Sequence, residues 1–567
     1  MRTFKKIIKY KFLIIIIIIA ALLRLWRLGD FPIHLTPDEA SLGYNTYSIL
    51  KTGKDMHGDF LPIIMKSFGD YTPALYVYLS IPFVAIFGLT EFSVRLVSAL
   101  SGVVSVYLIY LVADGIFSKM KKRFSKTITL SAAFLAAVNP WLIHFSRGAW
   151  VPNLSLTLTL AGVYFFYRSL EKEKFFIFSS ALFALTLLSY QGAKITSFLV
   201  VSILLIVFAK RWIRFDKKIL VGSFFIAFLL SLPIVISIFQ NKAGRLDVLS
   251  LFSYPRSETY VKEILNQGKE YPGSVSYYFF HSESLNFAKA ALDRYFNHFS
   301  GRFLFFEGDW ENPRHNAPFI GMFLLLDGLL MLFGFFAFVR NKKGVAAPVV
   351  FIFIWLFTAP FASAITRDQV HAVRSFHMVI PLLLISAVGL AYIYYYLIKK
   401  GIAEKIIFAS FAFFYGLNYL YYLDSYYIHM SIHNAKNWDY GYEQIVGEVL
   451  SVKNNYEKII IKQSYEQPFI YFLFYGVGKN GIFQPEQISK ILKYNESRVG
   501  DVGLVEELDN IYFTQISWPI GGVNPGELVV IDGLTVTPQM IGEDYEIISE
   551  IKYPDENQTA FWILEKV

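Results

Sequence analysis

Long apolar runs separated by short polar segments fill the first three quarters of the chain. A helix needs roughly 20 mostly apolar residues to cross the hydrocarbon of a bilayer, so these runs predict membrane spans. Eleven are predicted, at 12–28, 93–117, 127–145, 154–170, 175–190, 195–209, 219–239, 318–338, 345–365, 376–397 and 406–423. From about Tyr440 the pattern changes to a helix over 442–456, an apolar run at Ile459-Ile460-Ile461, and strand candidates at 527–531, 545–551 and 560–564. That alternation predicts a small α/β domain. The predicted fold class is thus an α-helical polytopic membrane protein, residues 1–423, followed by an α/β domain, residues 424–567.

Charge orders the spans. Six segments carry the basic excess: the N-terminus with Lys5 to Lys11, the cluster Lys119 to Lys126, then 168–174, 210–218, 340–343 and 399–405. Together they hold 24 basic and 4 acidic residues. Lys and Arg collect in cytoplasmic loops, and with eleven spans all six segments fall on that side. The N-terminus is then cytoplasmic and the C-terminal domain extracytoplasmic. One further apolar stretch, 73–89, would invert every later loop if it spanned. It is predicted to lie in the interface, inside a first external loop of 29–92. A second long external loop covers 240–317.

Composition narrows the chemistry. The chain is 567 residues, 55% apolar and 17% charged. That balance excludes a soluble globule. The absence of cysteine excludes disulfides, thiolate metal sites and a cysteine nucleophile. From Asp424 onward there are 10 basic and 21 acidic residues, so the net charge of +9 belongs to the membrane part. It gives no reason to expect nucleic-acid binding.

Channels and carriers need polar groups within their spans. Here the notable polar residues fall at external loop ends: Asp38 and Glu39, Asp70, Arg147, Gln191 and Lys194, Arg314 and His315, and Arg367 to Arg374. One face bearing all of these suits an enzyme whose substrate arrives through the lipid. Thr36-Pro37-Asp38-Glu39 reads as a capping box, with Thr36 as N-cap, Pro37 at the first helical position and Glu39 as the reciprocal partner, opening a helix that Gly53 closes. Asp38 is left as a second carboxylate at a helix N-terminus, where the dipole favours the ionised form that a general base requires. Arg147 and Lys194 read equally well as interfacial cations or as groups for a leaving phosphate. Asp309-Trp310-Glu311-Asn312-Pro313-Arg314-His315 reads as a polar loop capping the next span, or as a substrate loop with Arg314 and His315 turned inward. His371 and His377 straddle Arg374, too little to define a metal site.

Leu35-Thr36-Pro37-Asp38-Glu39-Ala40, then Tyr44, Leu50, Gly53, Pro62, Gly69-Asp70-Tyr71-Thr72-Pro73, Phe87-Gly88 and Ser93-Val94-Arg95 resemble, in order, the first external loop of the GT-C membrane glycosyltransferases. The nearest branches are the protein O-mannosyltransferases and the bacterial aminoarabinose (lipid A) transferases. The resemblance implies a polyprenyl-phosphate-sugar donor and extracytoplasmic transfer to a hydroxyl of a protein, glycolipid or cell-wall glycan, in a bacterial plasma membrane. It implies a catalytic carboxylate at Asp38 with Glu39 beside it, and a donor phosphate held by Arg147, with Lys194 assisting. Asp70, Arg314, His315 and Arg374 are the expected substrate-binding residues. Metal use stays open, because metal-dependent and metal-independent branches share this fold; no other cofactor is expected. Two departures stand out: Thr72-Pro73 replaces a common Lys-Pro, and Asn153 stands where an acidic residue often follows Ser-Arg. The rival readings are a transporter or flippase of lipid-linked precursors and an O-antigen-ligase-type transferase.

Overall fold

A computed structural model describes residues 2–240, 250–253, 255–340, 346–463, 467–495, 505–515 and 517–567, with backbone alone at 2–9, 346 and 479–480. Helices dominate the membrane part: α1 (Arg2–Leu25), α2 (Pro37–Thr52), α3 (Leu75–Phe87), α4 (Glu91–Phe117), α5 (Lys122–Val138), α6 (Pro140–Arg147), α7 (Val151–Ser169), α8 (Phe175–Leu187), α9 (Ala193–Val207), the short α10 (Ala209–Trp212) and α11 (Lys217–Phe239). Further helices follow at Leu325–Arg340, Ala346–Thr358, Val379–Lys399 and Glu404–Asp424. Among the described residues five helices are long and apolar enough to cross a membrane, and α5 with α6 makes a sixth when the bent pair is one span. Each of the eleven expected runs is helical over most of its length. Several helices are short for a full crossing: α8 has 13 residues and α9 has 15. At the rise of an α-helix each covers only about 20 Å.

Two differences from the expected spans have clear causes. The run at 127–145 bends by 51° between α5 and α6. Pro140 cannot continue the hydrogen-bond ladder, and Asn139 recaps the new helix by accepting from Leu142 N at 2.9 Å, as an N-cap amide does. The run at 318–338 becomes helical only at Leu325, where Asp327 accepts from Leu324 N at 3.1 Å. A side chain at Gly321 would overlap the backbone of Leu304 and Phe305, so this approach to the helix is a close-packed loop.

The spans also contain more buried charge than their apolar character suggests, and it is engaged with backbone. Arg24 in α1 donates to the carbonyls of Ala136 (3.1 Å) and Ala137 (2.9 Å). The break after α5 leaves those oxygens without helical partners. Tight packing elsewhere relies on small residues. A Cβ on Gly389 would overlap the Leu330 carbonyl, and one on Gly334 would overlap that of Ile385. The helices Leu325–Arg340 and Val379–Lys399 therefore cross backbone to backbone.

The 29–92 segment contains α2, α3 and a hairpin, β1 (Ile64–Ser67) with β2 (Asp70–Pro73), paired Ile64↔Pro73 to Ser67↔Asp70. Helix α3 coincides with the stretch expected at the interface. The tail carries a seven-stranded mixed sheet of β3 (Ile459–Lys462), β4 (Leu492–Tyr494), β5 (Val505–Leu508), β6 (Ile511–Thr514), β7 (Leu528–Asp532), β8 (Tyr545–Lys552) and β9 (Thr559–Lys566), in the order β4-β5-β6-β3-β7-β9-β8. The central β3 is parallel to both neighbours and reads as the continuous apolar run typical of a strand covered on both faces. One hydrophobic core joins this domain to the 29–92 segment. Helix Phe469–Asn480 lies against α2, with Gly43 at a contact where a Cβ would come within 2.6 Å of the Phe474 ring. Tyr44 and Tyr47 donate to Phe483 O and Gln484 Oε1 at 3.0 and 3.2 Å.

Candidate functional site

The N-terminus of α2 is built as its sequence implies. Glu39 N donates to Thr36 Oγ1 at 3.3 Å, Thr36 N donates to Glu39 Oε2 at 2.9 Å, and Gly53 closes the helix with φ of 70°. Glu39 is buried and does more than cap. Its Oε1 accepts from Arg95 Nε at 3.1 Å and from Ala149 N at 2.7 Å. Arg95 in turn donates to the carbonyls of Leu28, Gly29, Pro32 and His34. Glu39 therefore ties α2, α4 and the α6–α7 junction together and has no surface to offer a substrate. Its neighbour Asp38 is exposed in the first turn of α2.

Arg147 requires a correction. The expected phosphate ligand is fully buried, and its guanidinium donates to Leu23 O (2.9 Å), Trp26 O (2.8 Å), Arg27 O and Phe31 O (both 3.2 Å) while lying over Tyr426 and Tyr427. It caps the end of α1, as Arg24 caps the end of α5. Every one of these acceptors is a main-chain oxygen whose need for a donor no sequence motif announces.

Lys194 begins α9, and its Nζ donates to Gln191 Oε1 at 2.6 Å. Gln191 in turn donates to Tyr71 O, and the Asp70 carboxylate of the hairpin acts on Lys194 electrostatically. Below it, α8, α9 and α11 enclose an apolar groove of about 530 Å³. The groove runs from Phe176 and Phe224 at one end to Leu187 and Ile238 at the other, and Lys194, at that second end, is the one charged residue among those lining it.

A third group forms where the loop before Leu325 meets the loop before Val379. Asp309 Oδ2 accepts from His315 Nδ1 and Ala372 N, both at 2.7 Å, and Oδ1 accepts from Asn312 N at 3.0 Å. The His371 ring lies 5.0 Å from that of His315. Burial pushes both imidazoles below the ordinary histidine range. The Arg314 and Arg374 guanidinium groups push in the same direction, which places those cations close by. Arg374 pairs with Asp368 at 2.8 Å and also acts on Tyr190, next to Gln191. Arg314 is part-exposed, and its side chain makes no hydrogen bond or ion pair among the described residues.

A chain of contacts joins these groups. Glu39 holds Ala149, the Trp150 ring meets His315 edge-on at 5.3 Å, His371 follows, and Arg374 leads to Tyr190 and Lys194. These contacts connect Glu39, His315, His371, Arg374 and Tyr190 in turn, with Arg314 beside the two histidines and Asp70 beside Lys194, while Arg147 is turned to the backbone at the end of α1. Sequence reasoning missed the convergence of Asp309 and His371 on His315, because the two loops are far apart in the chain and neither has ligand spacing of its own.

A family model described as "Dolichyl-phosphate-mannose-protein mannosyltransferase" matches residues 72–236. No curated protein sequence matches the chain. Among solved structures, ArnT from Cupriavidus metallidurans in the apo state superposes with a TM-score of 0.52 at 11% identity, covering 98% of both chains. The Archaeoglobus fulgidus oligosaccharyltransferase AglB, in complex with an inhibitory peptide and a dolichol-phosphate, gives 0.48 at 13% identity over 84% of this chain. This chain spans 64% of AglB's length, less than two thirds. The family-model match and the end-to-end likeness to ArnT agree with the resemblance carried by residues 35–95: this is a multi-pass membrane protein of the GT-C glycosyltransferase fold, similar to the O-mannosyltransferase and ArnT branches.

Proposed function

We propose that this protein is a membrane glycosyltransferase that moves a sugar from a polyprenyl-phosphate donor to a hydroxyl of a protein, glycolipid or glycan acceptor on the extracytoplasmic face. The observation that carries the reading is the apolar groove headed by Lys194. A prenyl tail fits a groove open along three helices, and the phosphate it carries would meet Lys194 at the charged end. Buried charges in the spans, such as Arg24 and Asp327, are bonded to backbone or to Tyr415, which favours an enzyme over a carrier.

The reaction is a single displacement with inversion. Asp38, ionised at the positive end of α2, takes the proton of the acceptor hydroxyl as its oxygen bonds to the anomeric carbon. The bond from that carbon to the phosphate oxygen breaks on the opposite side, and the phosphate leaves as an anion towards Lys194 and Arg314. Arg314 replaces Arg147 as the guanidinium of the phosphate site, because it is the arginine with donors to give. Phosphate needs no protonation to depart, so one carboxylate is sufficient. With the eleven-span threading and a cytoplasmic N-terminus, this region faces outward.

The test is transfer from a radiolabelled polyprenyl-phosphate sugar by purified protein. Asp38→Asn should lower the rate by roughly 10²–10⁴-fold with donor binding retained. Wild-type protein that moves intact donor between leaflets and transfers no sugar would sink the reading.

A further inference from the structure

We propose that Asp309, His315 and His371 form a zinc site that ties the 307–316 loop to the 366–378 loop beside Arg314. One ligand atom from each of the three lies within 4.8 Å of the others, and all three residues are buried. An Asp309–His315 hydrogen bond alone explains two of them and leaves His371 without a purpose. Its Nδ1 has only a 3.4 Å contact from Arg374 N, and its Nε2 is 4.0 Å from Asp368 Oδ2. The second distance is beyond hydrogen-bond reach. A buried imidazole with neither nitrogen well bonded, within 4.8 Å of a carboxylate and a second imidazole, is the arrangement a metal satisfies.

The donor set selects the ion. Two imidazoles and one carboxylate, with no thiolate, match three-ligand zinc sites that keep a fourth position open. Magnesium and calcium prefer all-oxygen shells. The surroundings already orient the ligands, as outer partners do around a metal. Ala372 N and Asn312 N hold the two Asp309 oxygens, and the main chain of His371 is fixed by His298 Nε2, which accepts from its N at 3.2 Å, and by Ser375 Oγ, which donates to its O at 2.9 Å. Ion entry requires one local change. The His315 proton moves from Nδ1 to Nε2, and Nδ1 and Asp309 Oδ2 separate from their 2.7 Å hydrogen bond. Their new spacing is that of two ligands on a tetrahedral zinc, wider by about half an ångström. Arg374 is paired with Asp368, and Asp309 supplies the negative charge among the three ligands, with the Arg314 cation acting on both histidines from beside the site. The bound ion would add fixed positive charge next to the phosphate region; the site itself does not depend on the transfer reading.

The experiment uses full-length protein carrying no histidine tag, purified in detergent, stripped with a chelator and titrated with zinc chloride against a chromogenic competitor. Wild type should bind one ion per chain and show the intense visible absorption of tetrahedral cobalt when cobalt is supplied instead. His371→Gln should weaken zinc by at least about tenfold and lose the cobalt bands. Zinc should raise the thermal midpoint of wild type and leave that of His371→Gln unchanged. No zinc bound by wild type, or undiminished zinc in His371→Gln, overturns the proposal. Transfer assayed on the same samples keeps the two readings separate, since zinc binding without transfer leaves the site standing and removes the enzyme.

Discussion

Among single residues, neighbours in sequence serve different ends because their side chains enter different surroundings. Asp38 is exposed, whereas Glu39 is locked against Arg95 and Ala149 N. Glu39→Gln removes one charge of a buried pair and should cost roughly 3–5 kcal/mol of stability, seen as a lower thermal midpoint, with residual transfer per folded molecule. Arg147→Ala should act likewise, by about 3 kcal/mol, because four carbonyls lose their donor. A raised donor KM with unchanged stability in Arg147→Ala would restore its phosphate role. His34 supplies the pH dependence. Burial, opposed by its bond to Leu35 O, lowers its pKa to about 4, so the unfolded chain binds the proton more readily than the folded one. Stability from this group is complete above about pH 6.5 and declines as pH falls towards 4, by up to about 3 kcal/mol. His34→Phe, which keeps a ring beside Tyr471 and Tyr475, should flatten the fall in thermal midpoint across that window.

For the helices and strands, capping and packing decide where elements end and how near they come. The start of α2 follows from local chemistry alone, since a Thr, a Pro and a Glu within one turn specify it. The bend between α5 and α6 is half legible: Pro140 is visible in the sequence, but it falls inside an apolar run that is otherwise continuous. What stabilises the bend, Arg24 reaching from α1, is a contact across 113 residues. The crossing of Leu325–Arg340 and Val379–Lys399 is similar, since glycines in apolar runs do not name their partners. Gly389→Ala puts a methyl group into the Leu330 carbonyl and should push the helices apart, lowering the thermal midpoint in detergent by the equivalent of about 1–3 kcal/mol or more. The same change at Gly416, where a Cβ meets nothing within 4 Å, should be nearly neutral, and equal effects at both positions would discount close packing as the cause.

For the molecule as a unit, threading and domain association determine whether the site can exist. Cysteine labelling suits a chain without native cysteine, but Ser125 in the Lys119–Lys126 segment is buried and would report burial instead of sidedness. Lys122 and Glu543 are exposed. In intact cells a cysteine at Lys122 should resist an impermeant maleimide and one at Glu543 should react; the reverse pattern would invert the threading and move the site inside. The C-terminal domain does not stand apart from the 29–92 segment. Tyr471 OH lies 3.0 Å from Leu35 O and 2.7 Å from Asp439 Oδ2, so the segment leading into Asp38 is held by a residue more than four hundred positions away. The membrane class, most helices, the capping box and the α/β tail can all be read from the residues in order, because periodicity, charge asymmetry and capping act over short stretches of chain. That Arg147 is a brace, that Lys194 heads a groove, and that Asp309, His315 and His371 converge emerges only on folding. Those outcomes depend on which orphan carbonyls, empty volumes and distant loops a side chain meets once the helices have packed, and no local pattern encodes them.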